Sequence, residues 1–437
     1  MHVPARDPSG EPRLRRLRFW GLAGFALLVL LPASGRAELV GGLGHTCSRS
    51  ILGSLQCWGF NDAGQLGDGT TTSRAYPAAV SGLGASPIIS VGTGEAFSCA
   101  LNGLGEMLCW GDNSQGQLGD GTRNSSLVPI MVSGLGGTVE SFSPGRQHVC
   151  AVLTSGNAKC WGDNSSGQLG DGNFFDRLVP TLISGLGGLI ASLASGYDHS
   201  CAVTILGDTY CWGNNFFGQL GDGTFVEKLI PVPVDGLTGT GTRIAFVAEA
   251  AAGEFHTCIR TPSGAAYCWG DNISGQVGNA LLGTPHTAPV AVAGLGGPIQ
   301  QIEAGKAFTC ALLNSGGVQC WGENMDGQLG DGSTVDRFSP AGVSGLSTGV
   351  SGIGLGDLHA CAETTSSFRY CWGDSFYGQL GNGSTTSSSL PIEVLEPEPL
   401  PLSLPFQVAL GLCLAIGGTL LARRQASSRQ ISAAHQG

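Results

Sequence analysis

Between residues 38 and 396, apolar residues come in short bursts separated by glycine-rich turns, with no sustained three-to-four spacing of an amphipathic helix. Cys150-Ala-Val-Leu-Thr-Ser-Gly-Asn-Ala-Lys-Cys160 is representative: an apolar run, a polar turn and a second short run. Such a pattern predicts short strands folded back on a turn. A glycine stands six residues after the first cysteine in six such stretches (Gly53, Gly105, Gly156, Gly207, Gly264 and Gly316), and Ser367 takes that place in the seventh. Glycine there supplies the positive φ of a hairpin loop.

The hairpin recurs seven times. Its cysteine pairs are Cys47/Cys57, Cys99/Cys109, Cys150/Cys160, Cys201/Cys211, Cys258/Cys268, Cys310/Cys320 and Cys361/Cys371. Each second cysteine is followed by Trp-Gly and then by a phrase such as Gly116-Gln117-Leu118-Gly119. The seven tryptophans (58, 110, 161, 212, 269, 321, 372) are 51 or 52 residues apart, with one step of 57. That period is too long for a helical-pair solenoid and suits a propeller blade of four short strands. Units close with Pro-x-x-Val or its Ile variant, as at Pro77 to Val80, Pro129 to Val132, Pro180 to Ile183 and Pro340 to Val343. Proline suits the first residue of a strand or an edge strand, so these segments are expected to open an outer or connecting strand. Glu38 to Gly42 enters ahead of the first cysteine pair with no such segment before it, and the last unit ends on Pro391-Ile392-Glu393-Val394. The expectation is an all-β, seven-bladed β-propeller, closed by pairing of the N- and C-terminal strands in one blade.

The full phrase, Gly-x-x-His-Thr-Cys…Cys-Trp-Gly-x-Asn-x-x-Gly-Gln-Leu-Gly-Asp-Gly-Thr, resembles the repeat of the regulator of chromosome condensation family over roughly residues 38–396. The resemblance implies a seven-bladed β-propeller. It also implies relatives of two kinds: nuclear exchange factors for a small GTPase, the founding members, and plain interaction modules.

The ends differ from the repeats. Arg13, Arg15, Arg16 and Arg18 precede an apolar run from Phe19 to Leu31, and small residues follow at Gly35 and Ala37. Residues 1–37 thus read as a signal peptide, with an uncleaved anchor as the alternative. Residues 397–424 hold a Pro-Glu-Pro leader, the apolar run Phe406 to Ala422 and the pair Arg423-Arg424. They resemble sorting signals processed by exosortase-type transpeptidases, or form a membrane-spanning anchor; residues 425–437 are a polar tail. In an exported chain, fourteen regularly paired cysteines read as seven hairpin disulfides. Zinc thiolates prefer gaps of two to four residues, not nine. Each bridge closes a short loop and contributes about 2–3 kcal/mol in the chain-entropy picture. The expected location is the periplasm, the cell surface or the medium.

Charge removes one class of partner. The whole chain carries 21 basic and 32 acidic residues, and residues 38–400 carry 12 basic against 30 acidic. Nucleic-acid binders show a basic footprint, and this module has none.

Two repeated features call for a chemical reading. His45, His148, His199, His256 and His359 stand two residues before a first cysteine, and Phe97 and Phe308 take that place in the other two units. Five related imidazoles can ring an axial channel as metal ligands or bases; the phenylalanines favour a structural slot instead. Asp68, Asp120, Asp171, Asp222 and Asp331, with Asn279 and Asn382, superficially resemble calcium-loop residues but lack the alternating ligands and late glutamate. They are expected to hydrogen-bond their own turns. No phosphate loop, zinc-protease helix or nucleophile elbow is present, so neither a catalytic residue nor a cofactor or metal is assigned.

Function is therefore expected where units differ. The departures are the connections Asp235 to Ala252 and Asn279 to Thr287, and the aromatic loop tips Phe174, Phe175, Phe216, Phe217, Phe376 and Tyr377. Exposed aromatics there would contact a protein or glycan partner, with half-buried packing as the alternative. A non-catalytic interaction module is the leading reading, with guanine-nucleotide exchange on a small GTPase the second.

Overall fold

The computed structural model describes residues 38–237 and 246–396, and every hairpin expected around a cysteine pair is formed there. Seven four-stranded antiparallel sheets follow one another along the chain, each built from four consecutive strands. Blade 1 comprises Glu38–Gly41, His45–Arg49, Leu55–Gly59 and Arg74–Ala79, from inner to outer strand. Blade 7 comprises Val350–Leu355, His359–Thr364, Arg369–Gly373 and Ser388–Glu393. The seven inner strands line a central channel.

Second strands are buried along their whole length or nearly so, as in His148–Leu153, because a neighbouring blade covers each face. That enclosure explains their unbroken apolar runs. Outer strands such as Arg177–Leu182 are only partly covered. Second and third strands place the two cysteines of each pair directly opposite one another, as in the pairing of Cys150 with Cys160. The bridges are Cys47–Cys57, Cys99–Cys109, Cys150–Cys160 and Cys201–Cys211 in blades 1 to 4. Cys258–Cys268, Cys310–Cys320 and Cys361–Cys371 follow in blades 5 to 7. In all seven the Cα atoms are 4.0–4.1 Å apart. The hairpin glycines have φ between 74° and 81°, and Ser367 adopts 65° in the same place. A side chain at such a φ is strained, which is why glycine fills the other six positions.

Two expectations about the strands need correction. The proline does not open the outer strand: Pro180 is its fourth residue, at the register shift between Cys160 and Gly162. Its missing N–H costs nothing at an irregular edge. Nor do the terminal strands share a blade. The first strand described is an inner one and the last an outer one, so among the described residues each unit is a whole sheet and no strand is exchanged.

Closure comes from loops and side chains instead. The long loop between third and outer strand carries the Gly-Gln-Leu-Gly phrase onto the next blade. There the indole Nε1 of the next tryptophan donates to the glutamine carbonyl: Trp110 to Gln65 (2.9 Å), Trp212 to Gln168 (2.8 Å) and so around the ring. Trp58 to Gln379 (2.8 Å) makes the same bond between blade 7 and blade 1. Each tryptophan is fully buried in an apolar cluster at the seam with the preceding blade; the closing cluster holds Leu39, Trp58, Cys361, Cys371, Leu380 and Val394.

A buried asparagine shapes each long loop but the last. Asn113 Nδ2 donates to the Thr122 and Asn124 carbonyls and to Asp120, while its Oδ1 accepts from the Leu118 N–H (2.9 Å). The seventh loop has Ser375 there. The Asp120-type residues bond their own turns in all seven units, as expected from sequence.

Candidate functional site

The turn from inner to second strand and the long loop lie at the same end of every blade, because the second strand starts where the third ends, as in the pairing of His45 with Gly59. This end forms one mouth of the channel. A ring of glycines lines it: Gly42, Gly94, Gly145, Gly196, Gly253, Gly305 and Gly356. A Cβ on any of them would collide with the His or Phe ring three residues on and with the carbonyl of the next blade's ring glycine. Close approach of backbones, not a special φ, requires glycine here.

The cysteines lie apart from this mouth. Cys47 and Cys57, Cys99 and Cys109, Cys150 and Cys160, and Cys201 and Cys211 are buried in the apolar clusters of their own blades. Cys258 and Cys268, Cys310 and Cys320, and Cys361 and Cys371 are buried in the same way. None of the fourteen lines the channel, so they staple the hairpins and take no part in the candidate site.

The histidines pack directly beneath the glycine ring and are structural. His45, His148, His199, His256 and His359 are fully buried. Each Nε2 meets a hydroxyl of the next blade: His45 with Ser98 (2.9 Å), His148 with Ser200 (2.8 Å), His199 with Thr257 (2.9 Å), His256 with Thr309 (2.9 Å) and His359 with Thr46 (2.8 Å). Those hydroxyls donate their single hydrogen to the Gln65, Gln168, Gln219, Gln276 and Gln379 carbonyls. The imidazoles must therefore donate through Nε2–H. Nδ1 is left as a buried acceptor without a partner in all five. Burial pushes four of the rings down to about 3 and His359 to about 4, so all stay neutral.

The two exceptions obey the same logic. Where Phe97 and Phe308 replace histidine, the facing residue in the next blade is Val149 or Ala360 rather than Ser or Thr, and each pair shares an apolar cluster. Polar meets polar and apolar meets apolar at every seam.

The residue after each ring glycine does not repeat: Leu43, Glu95, Arg146, Tyr197, Glu254, Lys306 and Asp357. Six of these side chains interact with one another at the mouth. Arg146 Nε lies 3.0 Å from Glu95 Oε2, and its guanidinium stands 5.3 Å from the centre of the Tyr197 ring. The Tyr197 hydroxyl donates to Asp357, linking blade 4 to blade 7. Lys306 Nζ is 4.0 Å from Glu254 Oε2. Burial is the main cause that raises the Tyr197 phenol and pushes the Asp357 carboxyl up to about 6; each also responds to the other. Burial likewise raises Glu254 and the neighbouring Asp198. Sequence reasoning passed over these residues, yet their signal was available: one variable position inside an otherwise repeated Gly-x-x-His/Phe phrase.

The aromatic loop tips divide into two kinds. Phe174, Phe175, Phe216 and Phe376 are exposed, the last two at 75% and 71%. Phe217 and Tyr377 turn inward as seam residues, with ring centres 4.8 Å from Phe255 and 4.3 Å from Phe60. In the altered fifth loop, Asn279 Nδ2 meets His286 Nε2 at 2.8 Å, much as Asp331 pairs with Arg337 in the sixth. Part of the connection Asp235 to Ala252, residues 238–245, lies outside the described residues, as do residues 1–37 and 397–437, on which the signal-peptide and sorting-signal or anchor expectations fall.

Comparison with known proteins places this architecture. A family model for the RCC1-like domain matches residues 24–298, and models for the regulator of chromosome condensation (RCC1) repeat match 299–328, 315–362 and 370–405. The chain belongs to the RCC1-like propeller family. The ultraviolet-B receptor UVR8 of Arabidopsis thaliana is 34% identical over 82% of this chain and 82% of its own length. The human E3 ubiquitin-protein ligase HERC2 is 30% identical over 79% of this chain, a match that spans 7% of HERC2. Among solved structures, yeast RCC1 (Prp20) bound to Kap60 superposes with a TM-score of 0.72 at 20% identity, over 89% of this chain and 91% of that one. At that identity the likeness concerns the fold.

Proposed function

We propose that this RCC1-like propeller is an exported, non-catalytic interaction module that binds a protein or glycan partner at the channel-mouth face. One observation carries the reading. The ring glycine and the His/Phe slot three residues on recur in every unit, while the residue directly after the glycine changes chemistry from unit to unit. A framework position repeats because seven seams share one geometry; a recognition position need not. Exposed Phe216 and Phe376 lie in long loops on that same face and add apolar anchors beside the charged mouth.

Export is supported by the seven disulfides, which persist in oxidising compartments. The acidic balance of residues 38–400 speaks against nucleic acid.

Affinity capture from cell-envelope extracts tests the reading. A partner retained by the wild type and lost with a Glu95→Gln/Tyr197→Phe/Lys306→Gln variant of unchanged melting temperature supports it. Equal retention by both contradicts it. Exchange activity is the second reading, favoured only by family membership. It requires purified protein to accelerate nucleotide release from a small GTPase, and such acceleration would replace the present reading.

A further inference from the structure

The central channel encloses about 400 Å³, within the range of pockets that hold a small organic ligand. Five glutamates reach its lining; Glu95 and Glu254 belong to the charged mouth, and the other three stand deeper, on inner strands. Glu38 and Glu249 occupy the same position of the inner strands of blades 1 and 5, four residues before the ring glycine; Glu303 comes from blade 6, two residues before its own. The first two are compensated by arginines on the adjoining second strands: Arg49 Nε is 3.3 Å from Glu38 Oε2, and Arg260 Nε is 2.9 Å from Glu249 Oε2. Ser90 Oγ and the Val91 N–H complete the Glu38 site.

Glu303 has no such partner among the described residues. Its one hydrogen bond comes from the Gln301 amide, Nε2 to Oε1, at 2.9 Å. Burial, with Glu249 and Glu38 as its charged neighbours, pushes this carboxyl up to about 8. Ser192 also lines the channel and keeps a hydroxyl oxygen with no hydrogen-bond partner. Among the described inner-strand residues, the lining therefore holds one carboxyl without an ion pair and one unsatisfied hydroxyl inside a cavity of ligand size, where an unpaired buried charge is costly.

The ligand chemistry follows from what surrounds Glu303. Among the described residues, no three His, Cys, Asp or Glu side chains stand together as a set able to hold a metal ion. A calcium site needs six to eight oxygen ligands. An ammonium group needs only one counter-charge and acceptors for three N–H bonds. We propose that the channel is a binding site for a small primary ammonium ligand, with Glu303 as its counter-ion and lining hydroxyl and carbonyl oxygens as its other acceptors. At neutral pH the Glu303 proton leaves to solvent as the ammonium enters, so binding is coupled to release of one proton.

Calorimetric titration of the full chain with n-propylammonium chloride, at constant ionic strength and in two buffers of different ionisation enthalpy, tests this. The expected result is saturable one-to-one binding with close to one proton released per ligand at pH 7. Affinity should rise about ten-fold between pH 7 and pH 9, because the fraction of ionised Glu303 rises by that factor across its pKa. Glu303→Gln, an isosteric neutral side chain, should weaken binding at least ~10-fold and abolish the proton release. The proposal is overturned by absence of saturable heat at both pH values, by an equal response to sodium chloride, or by unchanged binding in the variant. Should that variant fail to fold, the wild-type proton release and its pH dependence decide alone: a pH-independent affinity with no proton released overturns the proposal.

Discussion

Gly196 and Tyr197 are neighbours in one turn, yet they belong to two regions with opposite rules. Gly196 sits in the seam between blades 4 and 5, where a methyl group would strike His199 and the Gly253 carbonyl. Tyr197 projects into the mouth, where its hydroxyl meets Asp357 of blade 7. Seam positions must satisfy the same packing and hydrogen bonds seven times; mouth positions satisfy one local arrangement each. Repetition here marks what holds the ring together, and its loss marks what the ring presents.

Substitutions should separate the two regions by size of effect. Trp212→Ala removes a fully buried ring and its bond to the Gln168 carbonyl, and should cost about 3–5 kcal/mol in urea denaturation. Removing one staple, Cys201→Ala with Cys211→Ala, should cost about 2–3 kcal/mol under oxidising conditions. The double variant should then be insensitive to reductant at that hairpin only.

The histidine seams sharpen the comparison further. His148→Phe alone places a ring against the Ser200 hydroxyl and should cost about 1–3 kcal/mol. Adding Ser200→Val recreates the Phe97–Val149 pairing and should recover most of that loss in a double-mutant cycle. Acid should attack the same seams. Free imidazoles titrate near 6.5, but the buried ones titrate at about 3 to 4, so the unfolded chain binds more protons between those limits. Stability should fall as pH drops below about 6.5, and more shallowly in the Phe/Val double variant. Glu303 acts in the opposite sense: its raised pKa favours the fold below about 4.5, a contribution lost as pH rises through about 8.

Smallest of all should be Tyr197→Phe. The ring stays in place beneath Arg146 and only the bond to Asp357 is lost, so stability should change by no more than ~1 kcal/mol. Ligand or partner binding at the mouth is where that substitution should register.

Much of this was legible in the chain. The cysteine spacing, the hairpin glycines and the tryptophan period dictate antiparallel hairpins in seven sheets, because short-range geometry alone relates those residues. Ring closure is not legible locally because it depends on phase: Pro-x-x-Val follows its own cysteine pair as part of a fourth strand, and nothing local says that the next tryptophan reaches back to the preceding Gln carbonyl. The seam code was present but hidden between units. His148 finds Ser200 and Phe97 finds Val149 only when each unit is compared with the one after it. Glu303 was unreadable, since its missing counter-ion is visible only once the inner strands are arranged around the channel.

The claim that the mouth is the face the ring presents is tested most directly by site-specific photo-crosslinking in cell-envelope preparations, with the reactive side chain placed either at Glu95 or at Leu52. Leu52 is 85% exposed on the hairpin tip at the far end of blade 1. The account predicts a discrete partner adduct from position 95 and none from position 52. An adduct formed only at position 52 would contradict it.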